Sequence, residues 1–114
     1  MGQLLFKKCF WQAVRGGTKR TTVRRWATPR LKAGQRAFSP GIGWLTIDAV
    51  DVVADLDHLT DADARADGFD TQAEMKAALR MIYPAQADDG RRWFRVAFTR
   101  QAGQDDEASP GLFG

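Results

Sequence analysis

The chain has little of the chemistry that builds disulfides and metal centres. Its 114 residues include one cysteine, Cys9, and one histidine, His58. A single cysteine cannot form an internal disulfide, which is typical of proteins from a reducing compartment. One histidine and one cysteine are also too few for the usual His/Cys metal site. We therefore predict a cytoplasmic protein with no metal and no other cofactor, and we expect Cys9 to be buried in its apolar context.

Long hydrophobic runs are absent as well. No stretch approaches 18 apolar residues, and no apolar leader segment opens the chain, so we expect neither a membrane-spanning nor a secreted protein. The apolar fraction of 44% and the charged fraction of 27% are ordinary for a globular protein. The length predicts one domain over residues 1–100, followed by a disordered tail over 101–114, which is rich in Gly, Gln, Asp and Pro.

Acidic residues are missing from the first 47 positions, which contain ten Lys or Arg. Residues 48–90 reverse this balance, with eleven Asp or Glu and three basic residues. Within the basic stretch, Gly16 and Gly17 precede a segment that alternates basic and hydroxyl side chains as far as Trp26. Such a turn combines backbone N–H, ammonium, guanidinium and hydroxyl donors, which suits phosphate or another anion. An anionic partner is therefore expected.

The periodicity of apolar residues predicts short strands interleaved with short helices. Strands are expected at 4–8, 21–26, 36–38, 44–54 and 93–99, and helices at 10–15, 60–68 and 71–82. Residues Thr60 and Asp63 form a capping box, and Thr71 and Glu74 form another. The alternation slips near Ala49, which predicts a bulge. Because the strands lack βαβ spacing, we predict an α+β fold, a small barrel flanked by short helices.

Strand parity groups three candidate site residues. Thr22, Arg24 and Trp26 share one face of the strand over 21–26, and Lys19 lies just upstream in the loop. Arg24 either binds an anion through its guanidinium fork or pairs with an acid of the 48–67 segment. Trp26 and Trp44 either stack on a base or pack in the core.

The segment Gly17-Thr18-Lys19-Arg20-Thr21-Thr22-Val23-Arg24 resembles the Gly-x-Lys-x-x-Thr-x-Arg signature of ASCH domains, which belong to the PUA-like superfamily. Further segments agree with this family in order, and the resemblance covers roughly residues 4–100. They are Leu31–Arg36, Val50–Val53 followed by Leu59-Thr60, Ala66–Phe69 and Met81–Pro84.

The resemblance implies a PUA-like β-barrel with a cleft under the Gly-x-Lys loop. It also implies that the ligand is RNA or a nucleoside derived from RNA. One branch of the family, the small bacterial N4-acetylcytidine amidohydrolases, uses a Lys, a Thr and a Glu. The Lys and Thr match Lys19 and Thr22, and the Glu falls at or beside Asp67, whose side chain is one methylene shorter.

Three functions remain open at this point. The first is a module that binds RNA or a nucleotide in a basic cleft, with ligand contacts from Gly17, Arg20, Arg24, Trp26 and Trp44. The second is an amidohydrolase of acylated cytidine nucleosides, with Lys19 as base, Thr22 as nucleophile and Asp67 as the acid. The third is a protein-interaction module that uses the acidic helices.

Each of the first two functions predicts its own geometry. Binding alone predicts a broad basic face that includes Arg91, Arg92 and Arg95. Catalysis predicts a small enclosed pocket and a hydrogen bond between Lys19 and Thr22.

Overall fold

Five strands form one sheet that is curled into a half-barrel. The structure, a computed structural model, describes residues 2–83 and 90–101. The strand order is β1-β3-β4-β5-β2, in which β1 pairs with β3 in parallel and every other neighbouring pair is antiparallel. The strands are β1 (Gly2–Gln3), β2 (Thr21–Trp26), β3 (Arg36–Ser39), β4 (Gly43–Val53) and β5 (Arg92–Arg100).

Short helices complete the α+β fold. They are α1 (Trp11–Arg15), α2 (Asp61–Ala66) and α3 (Gln72–Ile82), with 3₁₀ turns at Lys8–Phe10 and Leu56–His58. The described ranges contain no helix that is both long and apolar enough to cross a membrane.

The predicted capping of α2 is confirmed in full, and that of α3 in half. At the start of α2, Thr60 Oγ1 accepts from the backbone N–H of Asp63, whose carboxylate accepts from the N–H of Thr60. At α3, Thr71 Oγ1 accepts from the N–H of Glu74. The Glu74 carboxylate accepts from Asp70 rather than from Thr71. Both helices therefore begin at the predicted side chains.

The long strand β4 carries the predicted irregularity. Its register against β5 shifts between Ile47 and Ala49, one residue from the expected position. The shift separates the part of β4 that pairs with β3 from the part that pairs with β5 alone. A bulge of this kind increases local twist and helps a sheet to curl.

The N-terminal segment differs from the prediction. The first strand is Gly2–Gln3 instead of residues 4–8, because the chain leaves β3 after the N–H of Leu4 donates to Phe38 O (3.1 Å). Leu4 then turns into the core, where it is 2% exposed. Cys9 is exposed instead of buried, since it lies on a 3₁₀ turn that buries none of its residues.

Two hydrophobic clusters make up the core. The first lies around Leu45, Ile47 and Val96, and the second joins β2 and the end of β4 to α2 and α3 through residues such as Val23 and Met75. The spacing of Met75, Leu79 and Ile82 predicts an apolar stripe on α3; Met75 and Leu79 are buried, but Ile82 is 40% exposed. Three predicted features lie outside the described residues: the stop at Pro84, the turn at residues 88–89 and the tail over 102–114.

Candidate functional site

The loop before β2 is fixed by backbone hydrogen bonds to three elements. The N–H of Lys19 donates to Ala13 O in α1 (3.0 Å), and the N–H of Arg20 donates to Ala66 O in α2 (2.6 Å). The N–H of Phe98 in β5 donates in turn to Arg20 O (3.0 Å). The loop opens at Gly17, whose φ of +85° favours glycine. Its backbone is therefore held rigidly, and Lys19 is only 4% exposed.

The ammonium of Lys19 contacts Asp67 twice. Nζ donates to the backbone carbonyl of Asp67 (2.8 Å) and to its Oδ1 (3.0 Å), and the Asp67 side chain is 3% exposed. Asp67 caps the C-terminus of α2, an end that favours a cation. The next residue, Gly68, has a φ of +96°, and a Cβ there would lie 3.5 Å from the stem of Lys19. Lys19 thus joins the loop to the end of α2.

Burial moves both members of this pair toward their neutral forms. It lowers the pKa of Lys19, against the attraction of Asp67, and the positive charge of Arg24 lowers that pKa further. It raises the pKa of Asp67, against the attraction of Lys19 and the hydrogen bond from Thr21 Oγ1 (3.3 Å). Groups with shifted pKa values in a cavity are typical of binding and catalytic sites.

Aromatic rings surround the ammonium of Lys19. The ring centroids of Phe10, Phe6 and Phe69 lie 5.1, 5.9 and 5.9 Å from Nζ, within the range of cation–π attraction. None of these rings was predicted from the sequence as a site residue. The one available signal was Phe69, which follows Asp67 and Gly68 in a segment that resembles the ASCH family.

Thr22 and Arg24 lie on the same side of β2, as strand parity predicted. Arg24 Nε donates to Thr22 Oγ1 (3.1 Å), and Arg24 Nη2 donates to Leu5 O (2.6 Å). The guanidinium also lies 5.1 Å from the ring centroid of Phe6. Its hydrogen bonds are to Thr22 and Leu5 rather than to an acid of the 48–67 segment. Among the described residues, Thr22 is hydrogen-bonded to Arg24 and not, as catalysis predicted, to Lys19.

Lys19, Thr22, Arg24 and Asp67 all line one cavity of about 180 Å³, which we call the Lys19 cavity. Apolar and aromatic side chains make most of its remaining wall: Leu5, Phe6, Phe10, Val23, Phe69, Leu79, Ile82 and Tyr83. A cavity of about 150 Å³ is enough to hold benzene. The Lys19 cavity therefore has room for one planar ring with a small substituent.

The remaining predicted ligand-binding residues lie elsewhere. Gly17 and Arg20 line a second cavity, of about 320 Å³, which adjoins the first at Lys19. Trp26 packs on Phe94, with ring centroids 5.6 Å apart. Trp44 packs edge-on against Phe38 (5.2 Å). Neither tryptophan lines the Lys19 cavity, so the strand face that Trp26 was predicted to share with Thr22 and Arg24 does not bring it into this cavity.

The predicted basic face is interrupted. Arg95 forms a salt bridge with Asp63 (3.3 Å), and the guanidinium of Arg92 lies over the ring of Phe94 (5.3 Å). In the part of the chain that the structure describes, no three His, Cys, Asp or Glu side chains are grouped as metal ligands.

No family profile matches the sequence, and no curated protein does either. Two solved structures share the fold. The crystal structure of the hypothetical protein PH0355 is 11% identical and has a TM-score of 0.72, over 87% of this chain and 97% of that one. Protein EF3133 from Enterococcus faecalis V583, assigned to DUF984, is 17% identical with a TM-score of 0.62, over 87% of this chain and 79% of that one. At these identities, the likeness establishes a shared fold.

Proposed function

We propose that this chain is an ASCH-type, PUA-like domain that binds RNA or a nucleotide by taking one base into the Lys19 cavity. The observation that carries the proposal is the convergence of Lys19, Thr22, Arg24 and Asp67 on one cavity of about 180 Å³. These are the positions that the ASCH resemblance assigns to the site. Ligand pockets are typically apolar, with a few polar groups that fix the orientation of the ligand.

The walls and the polar groups of the cavity suit the two parts of a nucleobase. Phe6, Phe10 and Phe69 offer aromatic surface, and stacking on such surface contributes about 1–3 kcal/mol per base. Arg24 carries five N–H donors, of which two make the hydrogen bonds described above. Within residues 2–83 and 90–101, no hydrogen bond occupies its other donors, which suit a base carbonyl, and the Asp67 carboxylate is an acceptor for an exocyclic amine.

A second candidate function is the hydrolysis of an N4-acetylated cytidine nucleoside. The observation that favours it is a buried lysine of lowered pKa, in one cavity with a hydroxyl and a carboxyl group. Because Arg24 donates to Thr22 Oγ1, it leaves the hydroxyl proton available for a base. The shorter carboxylate of Asp67 also reaches Lys19, at 3.0 Å.

In this mechanism, neutral Lys19 accepts the proton of Thr22, and Thr22 Oγ1 attacks the acetyl carbonyl. The bond between the acetyl carbon and N4 breaks, N4 receives a proton from Asp67 or from Lys19, and cytidine leaves. Water then hydrolyses the acetyl-Thr22 ester, which releases acetate and restores the hydroxyl. Splitting the reaction into two steps lowers each barrier.

Calorimetric titration with cytidine, cytidine monophosphate and N4-acetylcytidine tests the first proposal. We expect binding that the Thr22→Val variant weakens, because it loses the hydroxyl but keeps the side-chain shape. Thr46→Val is the matched control, since Thr46 is half-buried on β4 and does not line the cavity. Absence of binding to all three compounds, or equal effects of the two variants, contradicts the proposal.

Loss of N4-acetylcytidine absorbance, followed with the same proteins, tests the second candidate. Hydrolysis by the wild type that Thr22→Val abolishes and Thr46→Val retains would support it. If the wild type and Asp67→Glu both bind N4-acetylcytidine without hydrolysing it, the hydrolase function is excluded and only the binding function remains.

A further inference from the structure

The second cavity differs in character from the first. It is bordered by the end of α1, the loop after it and the end of β5, and its volume is about 320 Å³. We call it the arginine groove, because Arg15, Arg20 and Arg100 line it together with Lys19. Among the described residues that line it, none is an Asp or a Glu.

Hydrogen bonds position two of these arginines. Arg20 is exposed, but its own N–H and C=O are bonded to Ala66 and Phe98, so its side chain starts from a fixed point. Arg100 Nε donates to Ile42 O (3.0 Å), which orients its guanidinium. Arg15 is the last residue of α1. A groove lined by side chains of one charge sign attracts a ligand of the opposite sign.

The groove also leaves space for an anion to approach the backbone. Gly16 and Gly17 form part of its wall, and a Cβ built on Gly17 would meet nothing within 4 Å. Arginine is the residue whose planar fork matches two oxygens of a phosphate. The groove therefore has the charge, the donor geometry and the access that a phosphate group requires.

Lys19 itself cannot serve as the phosphate ligand. Its ammonium is buried against Asp67, and its side chain is only 4% exposed. Because Lys19 lines both cavities, it forms the wall that they share. A ligand that carries a planar base and a phosphate on one short backbone fits this pair of neighbouring sites.

We propose that the arginine groove binds the phosphate backbone of a single-stranded nucleic acid whose base occupies the Lys19 cavity. The proposal rests on the proposed function and makes it more specific, because it selects a strand with phosphates over a free nucleoside. The strand is single, because a base enclosed in a cavity is neither paired nor stacked on its neighbours. Arg20 is the phosphate ligand, and Arg15 and Arg100 line the same groove.

Fluorescence anisotropy with a labelled oligocytidylate of about eight nucleotides tests this proposal, within the usual range of site sizes. The proteins are the wild type, Arg20→Ala and the control Arg30→Ala. Arg30 is an exposed arginine that lines neither cavity. Each phosphate contact contributes about −0.7 to the slope of log K against log salt. Loss of one contact should weaken binding about eightfold at about 50 mM salt and flatten the slope by about 0.7.

Cytidine is titrated in parallel, so that failure of the groove and failure of the cavity give different results. The expected outcome is that Arg20→Ala weakens oligonucleotide binding and leaves cytidine binding unchanged, whereas Arg30→Ala alters neither. Equal effects of the two variants on the oligonucleotide overturn the proposal, even if cytidine binds. If cytidine does not bind, but oligonucleotide binding depends on Arg20, the groove stands and the base cavity fails. Competition experiments then distinguish a strand from free phosphate. If unlabelled oligonucleotide displaces the labelled one, and sodium phosphate displaces it no better than sodium chloride of equal ionic strength, the ligand is the strand. If sodium phosphate competes as well as the unlabelled oligonucleotide, the proposal of a strand-specific groove is overturned.

Discussion

The two cavities that meet at Lys19 handle charge in opposite ways. In the Lys19 cavity, an ammonium and a carboxyl group are buried together. Burial lowers the pKa of Lys19 and raises the pKa of Asp67, so it favours the neutral form of each. The arginine groove instead gathers arginines from α1, the loop and β5, with no acid among its described lining residues. The basic segment that looked uniform in the sequence is thus divided between a buried pair and a cationic groove. Neighbouring residues Lys19 and Arg20 belong to different kinds of site.

The acidic middle of the chain shows the same division. Asp67 enters the Lys19 cavity, but other acids of that segment form pairs outside it. Asp63 bonds Arg95, and Asp57 bonds Lys76. Two acids of this segment therefore pair with nearby cations of the protein itself, and a third, Asp67, lines the candidate site.

The largest expected effect concerns the buried pair. Lys19→Met leaves Asp67 without its ammonium, and breaking a buried pair from one side costs about 3–5 kcal/mol of stability. Urea denaturation of Lys19→Met and the adjacent control Arg20→Met measures this difference. The exposed Arg20 should change stability by less than about 0.5 kcal/mol. The double variant Lys19→Met/Asp67→Leu should recover most of the loss, because both charges are then gone. Equal losses for the two single variants would show that the pair is not structural.

The stability of Lys19→Met should also depend on pH, because Asp67 then titrates without its partner. Burial raises the pKa of Asp67 above its ordinary value of 3.8, and removing Lys19 takes away the main opposing attraction. Between pH 3.8 and that raised pKa, the native state holds a proton that the unfolded state lacks. Stability should therefore fall as the pH rises through this window, by at most about 1.36 kcal/mol per pH unit. Lys19→Met/Asp67→Asn is the reference, since it lacks this titration. A pH profile parallel to that of the reference contradicts the assignment.

A third prediction separates the cavities by filling one of them. Ala78 lies on α3, is half-buried and lines the Lys19 cavity. Ala78→Leu should place apolar atoms where the base would bind and reduce cytidine affinity about tenfold or more, while stability changes by less than about 1.5 kcal/mol. Ala77→Leu is the control, because Ala77 is exposed and does not line the cavity. The salt slope for the oligonucleotide should stay unchanged in both variants. Unaltered cytidine binding in Ala78→Leu would place the base outside this cavity.

Local rules predicted the strands and helix starts well. The alternation of side chains predicted β2 and β5, and its slip near Ala49 predicted the bulge. Thr60 with Asp63 predicted the start of α2. They failed at the first strand, because its two residues pair with β3, whose position a local pattern does not encode.

The site was predicted only in part. The Lys19–Asp67 contact joins residues 48 positions apart, and only the family resemblance brought them together. Phe6 and Phe10 were missed, since the placement of their rings depends on how the first residues leave the sheet. Strand parity predicted a shared face for Thr22, Arg24 and Trp26, but only Thr22 and Arg24 line the cavity, because parity fixes a face and not a distance along it.

The smallest expected effect is that of Trp44. The sequence leaves Trp44 as either a stacking surface for a base or a packed side chain, and in the structure it packs against Phe38 and lies under the guanidinium of Arg36, at 4.4 Å. Trp44→Leu should therefore leave cytidine affinity within about twofold of the wild type, the size of change expected where no base is stacked. Trp93 provides the readout, because its ring meets the edge of Tyr83, which lines the Lys19 cavity. With Trp44 removed, the fluorescence change on binding should be retained. A loss of affinity comparable to that of Ala78→Leu would mean that the base stacks on Trp44. The base-binding site would then lie at β3 and β4 rather than in the Lys19 cavity.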